Sequence, residues 1–244
     1  MPTDTPPRRN WHFNRWLIVL IVAMFGWSGW RAYAFRSALA EAKALGWTVE
    51  YTDPVETIRK NWKAAFRKAT WLDGVTALGI PTSEVFEQNV AIVHRLNPKA
   101  LLIKHAGRFR DLSALKPLTR LQALALYSCT GLTKLDSLKN LCSLQAVALI
   151  GCTGLTDANG LKRLSVLREV VLSGSTGLTN VDALKDLSAL QSVHLYGCTG
   201  LTNVGALSNH SNLRWVELGG CTGLTKESVA SLKAALPNTQ IFGP

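Results

Sequence analysis

Two kinds of reactivity could be ordered by the spacing of residues in this sequence: proton exchange and thiol chemistry. His194 and Glu217 lie 23 residues apart, and the same interval separates Cys129 from Cys152 and Cys198 from Cys221. A histidine beside a carboxylate can act as an acid–base pair, and neighbouring thiols can bind metal or join as a disulfide. Neither constellation develops further. No Gly-x-Ser-x-Gly, His-Glu-x-x-His or Cys-x-x-Cys occurs, and Lys226 follows Gly-Cys-Thr-Gly-Leu-Thr without the glycine that a phosphate loop places directly before its lysine. The remaining histidines (His12, His94, His105, His210) are dispersed. The expectation is therefore a protein that is not an enzyme and holds no cofactor and no metal, with a hydrolase built on the His194–Glu217 pair kept only as an alternative.

The interval itself comes from an internal repeat. Cys-Thr-Gly-Leu-Thr begins at Cys129, Cys152, Cys198 and Cys221, and Ser-Thr-Gly-Leu-Thr begins at Ser175. Laid out from Leu121, the unit reads LQALALYSCTGLTKLDSLKNLCS, with apolar residues at its positions 1, 4, 6 and 12. One register runs through Val75, Pro98, Leu121, Leu144, Leu167, Leu190, Leu213 and Leu236. Positions 4 and 6 of a strand point one way and positions 3, 5 and 7 the other, so parallel stacking would bury leucine rows and expose the residues between them. The small residues at position 8 (Ser128, Gly151, Gly174, Gly197, Gly220) suit a tight bend. Leu135, Leu138 and Leu141 have the three-residue spacing of a short helical or 3₁₀ return. Residues 82–96 are long enough for an ordinary helix, and 226–236 predict a last one ended by Pro237.

The pattern L-x-x-L-x-L-x-x-C-x-x-L resembles the leucine-rich repeat in its short, bacterial, cysteine-containing form of 23 residues, over residues 75–244. The chain as a whole looks like a bacterial membrane-anchored leucine-rich-repeat protein. The resemblance implies an α/β solenoid, a parallel strand stack with short helical or 3₁₀ returns, and a function in binding protein or peptide.

A ligand for such a solenoid would meet the outward positions of the strands. Tyr127, Ile150, Glu169, Val171, His194, Tyr196, Trp215 and Glu217 are the candidate contacts on the concave face, beside Leu102, Lys104, Ser173 and Ser192. Ala123, Ala125, Ala146 and Ala148 leave its middle without long side chains. Tyrosine and tryptophan bury large area at low entropic cost, which suits recognition, although aromatics also favour strand surfaces for their own sake. Cys129, Cys152, Cys198 and Cys221 should form an inward ladder completed by Ser175. Parallel Cβ vectors hold neighbouring Cβ atoms farther apart than a disulfide needs, so buried free thiols are expected.

Before the repeats, residues 1–15 form a basic tail, and 16–30 (WLIVLIVAMFGWSGW) carry no charge. Extending this run to Phe35 reaches about 30 Å as a helix, the thickness of a hydrocarbon core. Trp11, Trp16, Trp27 and Trp30 lie near its ends as interfacial anchors would. The expectation is a single membrane span at 16–35, with a signal peptide cleaved after Ala32-Tyr33-Ala34 as the rival. Arg8, Arg9 and Arg15 on one side balance Arg31, Arg36 and Lys43 on the other, so charge does not set the orientation, and an extracytoplasmic (periplasmic) solenoid is the default. Residues 36–74 are expected to link and cap the solenoid: a helix stopping at Gly46, a short strand pattern at Trp47, Val49 and Tyr51, and a basic amphipathic stretch at 55–70. That stretch suits either a solenoid cap or a helix on anionic lipid. The net charge of +11 is mostly N-terminal: residues 1–110 hold 16 basic and 8 acidic side chains, the rest 11 and 8. No recognition motif accompanies it, so nucleic acid is not expected as a partner.

Overall fold

The computed structural model describes residues 37–51 and 75–243. The segments 1–15, 16–35 and 55–70, with the tail, membrane span and lipid-facing helix expected there, lie outside the described residues. Among those described, no helix is long and apolar enough to cross a membrane.

The described residues begin with helix α1 (residues 37–44), which ends at Gly46. Gly46 takes φ +71°, the Gly46 N–H reaches the carbonyl of Lys43 and the Trp47 N–H that of Ala42. This paired bonding satisfies the last carbonyls of the helix and needs a residue free of Cβ hindrance at the left-handed position. Strand β1 (Thr48–Tyr51) then pairs antiparallel with β2 (Val75–Thr82). It covers the first edge of the sheet, a place where open backbone groups would otherwise invite pairing with another chain.

From β2 onward every neighbour is parallel: β3 (Ala100–His105), β4 (Ala123–Tyr127), β5 (Ala146–Ile150), β6 (Glu169–Val171), β7 (Ser192–His194), β8 (Trp215–Glu217) and β9 (Gln240–Phe242). From β2 to β8 the paired residues are 23 apart, as in Leu101↔Leu124↔Val147↔Val170. Positions 4 and 6 are buried from β2 to β8, position 12 carries buried phenylalanine or leucine, and together with the 3₁₀-turn leucines they form one continuous core from Ala38 to Leu236. Among the described residues five 3₁₀ turns, including Asp136–Leu138 and Asp182–Leu184, return the chain along the far side. Position 8 has positive φ in five consecutive repeats: Ser128 at 59° and the four glycines that follow it at 70–73°.

Two expectations need correction. Residues 82–96 do not form one helix but two, α2 (Ser83–Gln88) and α3 (Val90–Leu96). Asn89 breaks them, with φ −125° and ψ 24°, while its side-chain amide donates to the Val85 carbonyl at 2.9 Å. An asparagine that satisfies the preceding turn locally competes with continued helix. The last strand also departs from the 23-residue rhythm, because Val216 pairs with Ile241, 25 residues on. Helix α4 (Lys226–Ala235), capped by the Thr225 hydroxyl accepting from Ser228 N–H, replaces a 3₁₀ turn and takes up the extra residues.

Backbones of adjacent repeats approach most closely at the glycine of Thr-Gly-Leu. A Cβ on Gly177 would stand 2.8 Å from the Thr153 carbonyl oxygen, and one on Gly200 would stand 2.5 Å from that of Thr176. Relief requires moving backbone rather than a side chain, a change of the overpacking kind. Gly200→Ala is expected to lower unfolding free energy by about 2 kcal/mol, measured by urea denaturation. A loss below about 0.5 kcal/mol would mean that the repeats can separate freely.

Candidate functional site

The strand alternation that buries positions 4 and 6 leaves positions 3, 5 and 7 on the concave face, and the two ends of that face differ. Across β2–β5 the two central rows are short: Ala77, Ala100, Ala123 and Ala146 in one, Gly79, Leu102, Ala125 and Ala148 in the other. Because these side chains stop at Cβ or lack one, apart from Leu102, the surface sinks into a groove of about 410 Å³ with a mainly apolar lining. Thr48 of β1 bounds it at one end, and Glu169 and Val171 of β6 at the other. Tyr127 and Ile150 pair with each other at the strand ends beyond those rows, Tyr127 exposed and Ile150 half-buried.

Across β6–β9 the face is aromatic and polar. Trp215 packs on Phe242 with ring centroids 4.5 Å apart at 35°, and the His194 ring stacks on Trp215 at 6.4 Å and 29°. The His194 Nδ1 and Glu217 Oε2 are 3.2 Å apart across β7 and β8. Tyr196 is 58% exposed, and its ring lies over Gly219, where an added Cβ would meet it at 3.1 Å. Exposed apolar rings of this size are unusual to leave in water, and Tyr196, Trp215 and Phe242 form one neighbourhood. The structure thus brings His194, Trp215 and Glu217 together, with Tyr196 over Gly219 and Glu169 and Val171 at the junction with the groove, while Tyr127 and Ile150 share the repeat position of Tyr196 three and two strands away.

Phe242 and Gly219 were not among the residues that sequence reasoning singled out. A strict 23-residue count places Phe242 at position 7, beside Gly219 and two strands from Tyr196. The two extra residues around α4 move it to position 5, opposite Glu217 and against Trp215. Its only sequence signal is that a large aromatic follows Ile241 at the end of the last repeat.

As an acid–base pair, His194 and Glu217 have the required proximity but no third group. Among the described residues no hydroxyl or thiol is hydrogen-bonded to His194, and no cluster of three or more His, Cys, Asp or Glu side chains stands at metal-binding separation. Both side chains are about a third exposed, where an ion pair contributes no more than about 1 kcal/mol.

The thiols lie on the other side of the sheet. Cys129, Cys152, Cys198 and Cys221 are buried and unpaired by disulfides, and Cys142 is exposed. The Cys198 thiol donates to the Leu172 carbonyl at 3.1 Å and that of Cys221 to the Leu195 carbonyl at 3.0 Å. Burial pushes the Cys198 thiol up to about 12 and raises Cys221 as well. Cys129 is raised by its hydrogen bond with Cys152 and then by burial. Thiols held protonated and covered are poor nucleophiles, which makes this ladder core filling. Ser175 occupies the same slot, fully buried, with its hydroxyl lacking any hydrogen-bond partner.

No protein-family model matches this sequence, and no curated relative does either. Solved structures do. The leucine-rich-repeat domain of the type III effector XopL aligns over 100% of this chain and 98% of its own at 17% identity, with a TM-score of 0.50. A leucine-rich-repeat protein of Leptospira interrogans aligns over 62% of this chain and 38% of its own, at 20% identity and a TM-score of 0.51. Internalin F of Listeria monocytogenes covers 63% of this chain at 21% identity and a TM-score of 0.48. The chain spans under half the length of the Leptospira protein and of internalin F, 38% and 43% respectively.

The thiol assignment has two measurable consequences. Maleimide is expected to label the folded protein once, at Cys142, and the denatured protein five times, read by intact mass; labelling of Cys198 in the fold would contradict it. Ser175→Cys, which gives this slot the residue its neighbours use, should raise stability by about 1 kcal/mol, with a corresponding rise in melting temperature.

Proposed function

The described residues form a leucine-rich-repeat solenoid, a parallel strand sheet with short helical returns, and we propose that this solenoid binds a protein or peptide through its concave face while the segment 16–35 holds it to a membrane. The observation that carries this reading is the contrast between the two faces of the sheet. The inner face is closed by leucine and needs nothing more, whereas the outer face keeps Tyr196, Trp215 and Phe242 exposed beside an apolar groove. Side chains of this kind dominate binding energy when a partner excludes water from around them. A binding role leaves the His194–Glu217 pair as a polar contact on the face and assigns no catalysis to it.

Support for the membrane part comes from the uncharged run and its flanking tryptophans, and the extracytoplasmic side is the default orientation. Membrane fractionation tests the attachment, and protease digestion of a C-terminal tag, in cells with a permeabilised outer and a sealed inner membrane, tests the orientation. Cleavage places the solenoid outside, and protection places it in the cytoplasm.

The concave-face part is tested by a photocrosslinker placed at Tyr127 in intact membranes. Tyr196→Ala with Trp215→Ala is expected to reduce the recovered crosslinked partner by at least about tenfold, with an unchanged circular dichroism spectrum. Undiminished crosslinking by the double variant would instead favour an envelope component that packs without a specific ligand.

A further inference from the structure

The β6–β9 end of the concave face carries a charge opposite in sign to that of the chain as a whole. In a protein of net charge +11, the outward positions of β6–β9 hold two carboxylates, Glu169 and Glu217, and no lysine or arginine. Arg168 and Arg214 precede β6 and β8, outside the strands. One oxygen of Glu217 faces His194 at 3.2 Å, which leaves the second oxygen to accept from a partner. Beside it the Trp215 ring contacts Phe242 at 4.5 Å and His194 at 6.4 Å between centroids, so its orientation is set before any ligand arrives. A fixed indole next to a carboxylate suits a guanidinium or ammonium group: the ring face attracts the cation, its edge packs against the alkyl stem, and the carboxylate pairs with the donors.

The rest of the face limits what such a cation can be attached to. Beyond Glu169 the floor turns apolar and short for the width of four strands, β5 back to β2. A charged or bulky polar chain would lose hydration there without recovering hydrogen bonds, whereas apolar side chains of modest size fill the hollow. From β9 to β2 the distance is about 34 Å at ~4.8 Å per strand, the length of roughly ten extended residues.

We infer that the partner of the concave face is an extended peptide segment that places an arginine or lysine between Trp215 and the carboxylates of Glu217 and Glu169 and lays apolar side chains along the alanine-floored groove. This rests on the concave-face reading above and adds to it the chemistry of the partner and the direction in which it lies.

The test uses the full chain in detergent micelles and fluorescent peptide pools of about twelve residues, randomised over Ala, Val and Leu around one fixed Arg, Lys, Gln or Glu, with binding followed by anisotropy. The Arg and Lys pools are expected to bind at least about tenfold more tightly than the Gln pool, with the Glu pool weakest and the advantage shrinking as salt rises. Glu217→Gln with Glu169→Gln should erase the advantage and leave Gln-pool affinity unchanged. Equal binding of the Arg and Gln pools would overturn the inference while leaving the concave face as the binding surface. Binding of every pool that survives Tyr196→Ala with Trp215→Ala would overturn the concave-face reading itself. Displacement of the Arg pool by the neutral sugar chitohexaose, with tighter binding of the sugar than of any pool, would reassign the aromatic end to a glycan.

Discussion

Parallel backbone pairing at a constant interval is the constraint from which this molecule follows. Each strand of the series hydrogen-bonds to its neighbour one repeat away, so residues that share a position in the repeat are forced into rows across the sheet. Burial of a row is then collective. Leucine and valine at positions 4 and 6 remove each other from water along the length of the solenoid, and no single repeat could bury its apolar face alone. The same interval brings backbone against backbone at Thr-Gly-Leu, where glycine leaves room for the carbonyl of the preceding repeat.

A structure built from rows has two ends, and both are treated differently from the middle. At the start, β1 runs against the direction of the other strands, and Glu41 of α1 meets Arg95 of α3 at 2.7 Å. The first repeat spends its return on two α-helices, with Phe86 packed edge-on against Phe109 of the next repeat. At the finish, α4 takes the place of a 3₁₀ turn and lays Val229 and Leu232 over the last exposed leucines. His210 stands in the buried slot that leucine holds in earlier repeats, and its ring nitrogens face the carbonyls of Leu207 and Leu184. Polar substitution in a leucine row is tolerated where backbone acceptors are at hand.

The concave surface is built from the residues that the buried rows do not consume. Outward positions contribute little to burial, so their identity can vary from strand to strand without cost to the stack. Here they vary in a directed way, from alanine and glycine at the N-terminal end to aromatic and acidic residues at the C-terminal end. The apolar groove and the aromatic neighbourhood are therefore parts of one continuous surface, joined at Glu169 and Val171.

Much of this was legible in the order of residues. The 23-residue recurrence of leucine, with alternation inside each strand, determined the parallel stack, the buried rows and the inward cysteine ladder, because a regular repeat in sequence can only become a regular repeat in space when every unit buries the same face. It also put His194 beside Glu217 before any coordinates. What the sequence left undecided were the places where the period breaks. Asn89 ended a helix by bonding to the turn before it, α4 displaced the last strand by two residues, and that displacement set Phe242 against Trp215. The hollow over the alanines likewise needed three dimensions, since its depth depends on Leu102, Val171 and Thr48 rising around it from other strands. Periodicity encodes which residues share a row; only packing decides how high each row stands and which side chains meet where the rows end.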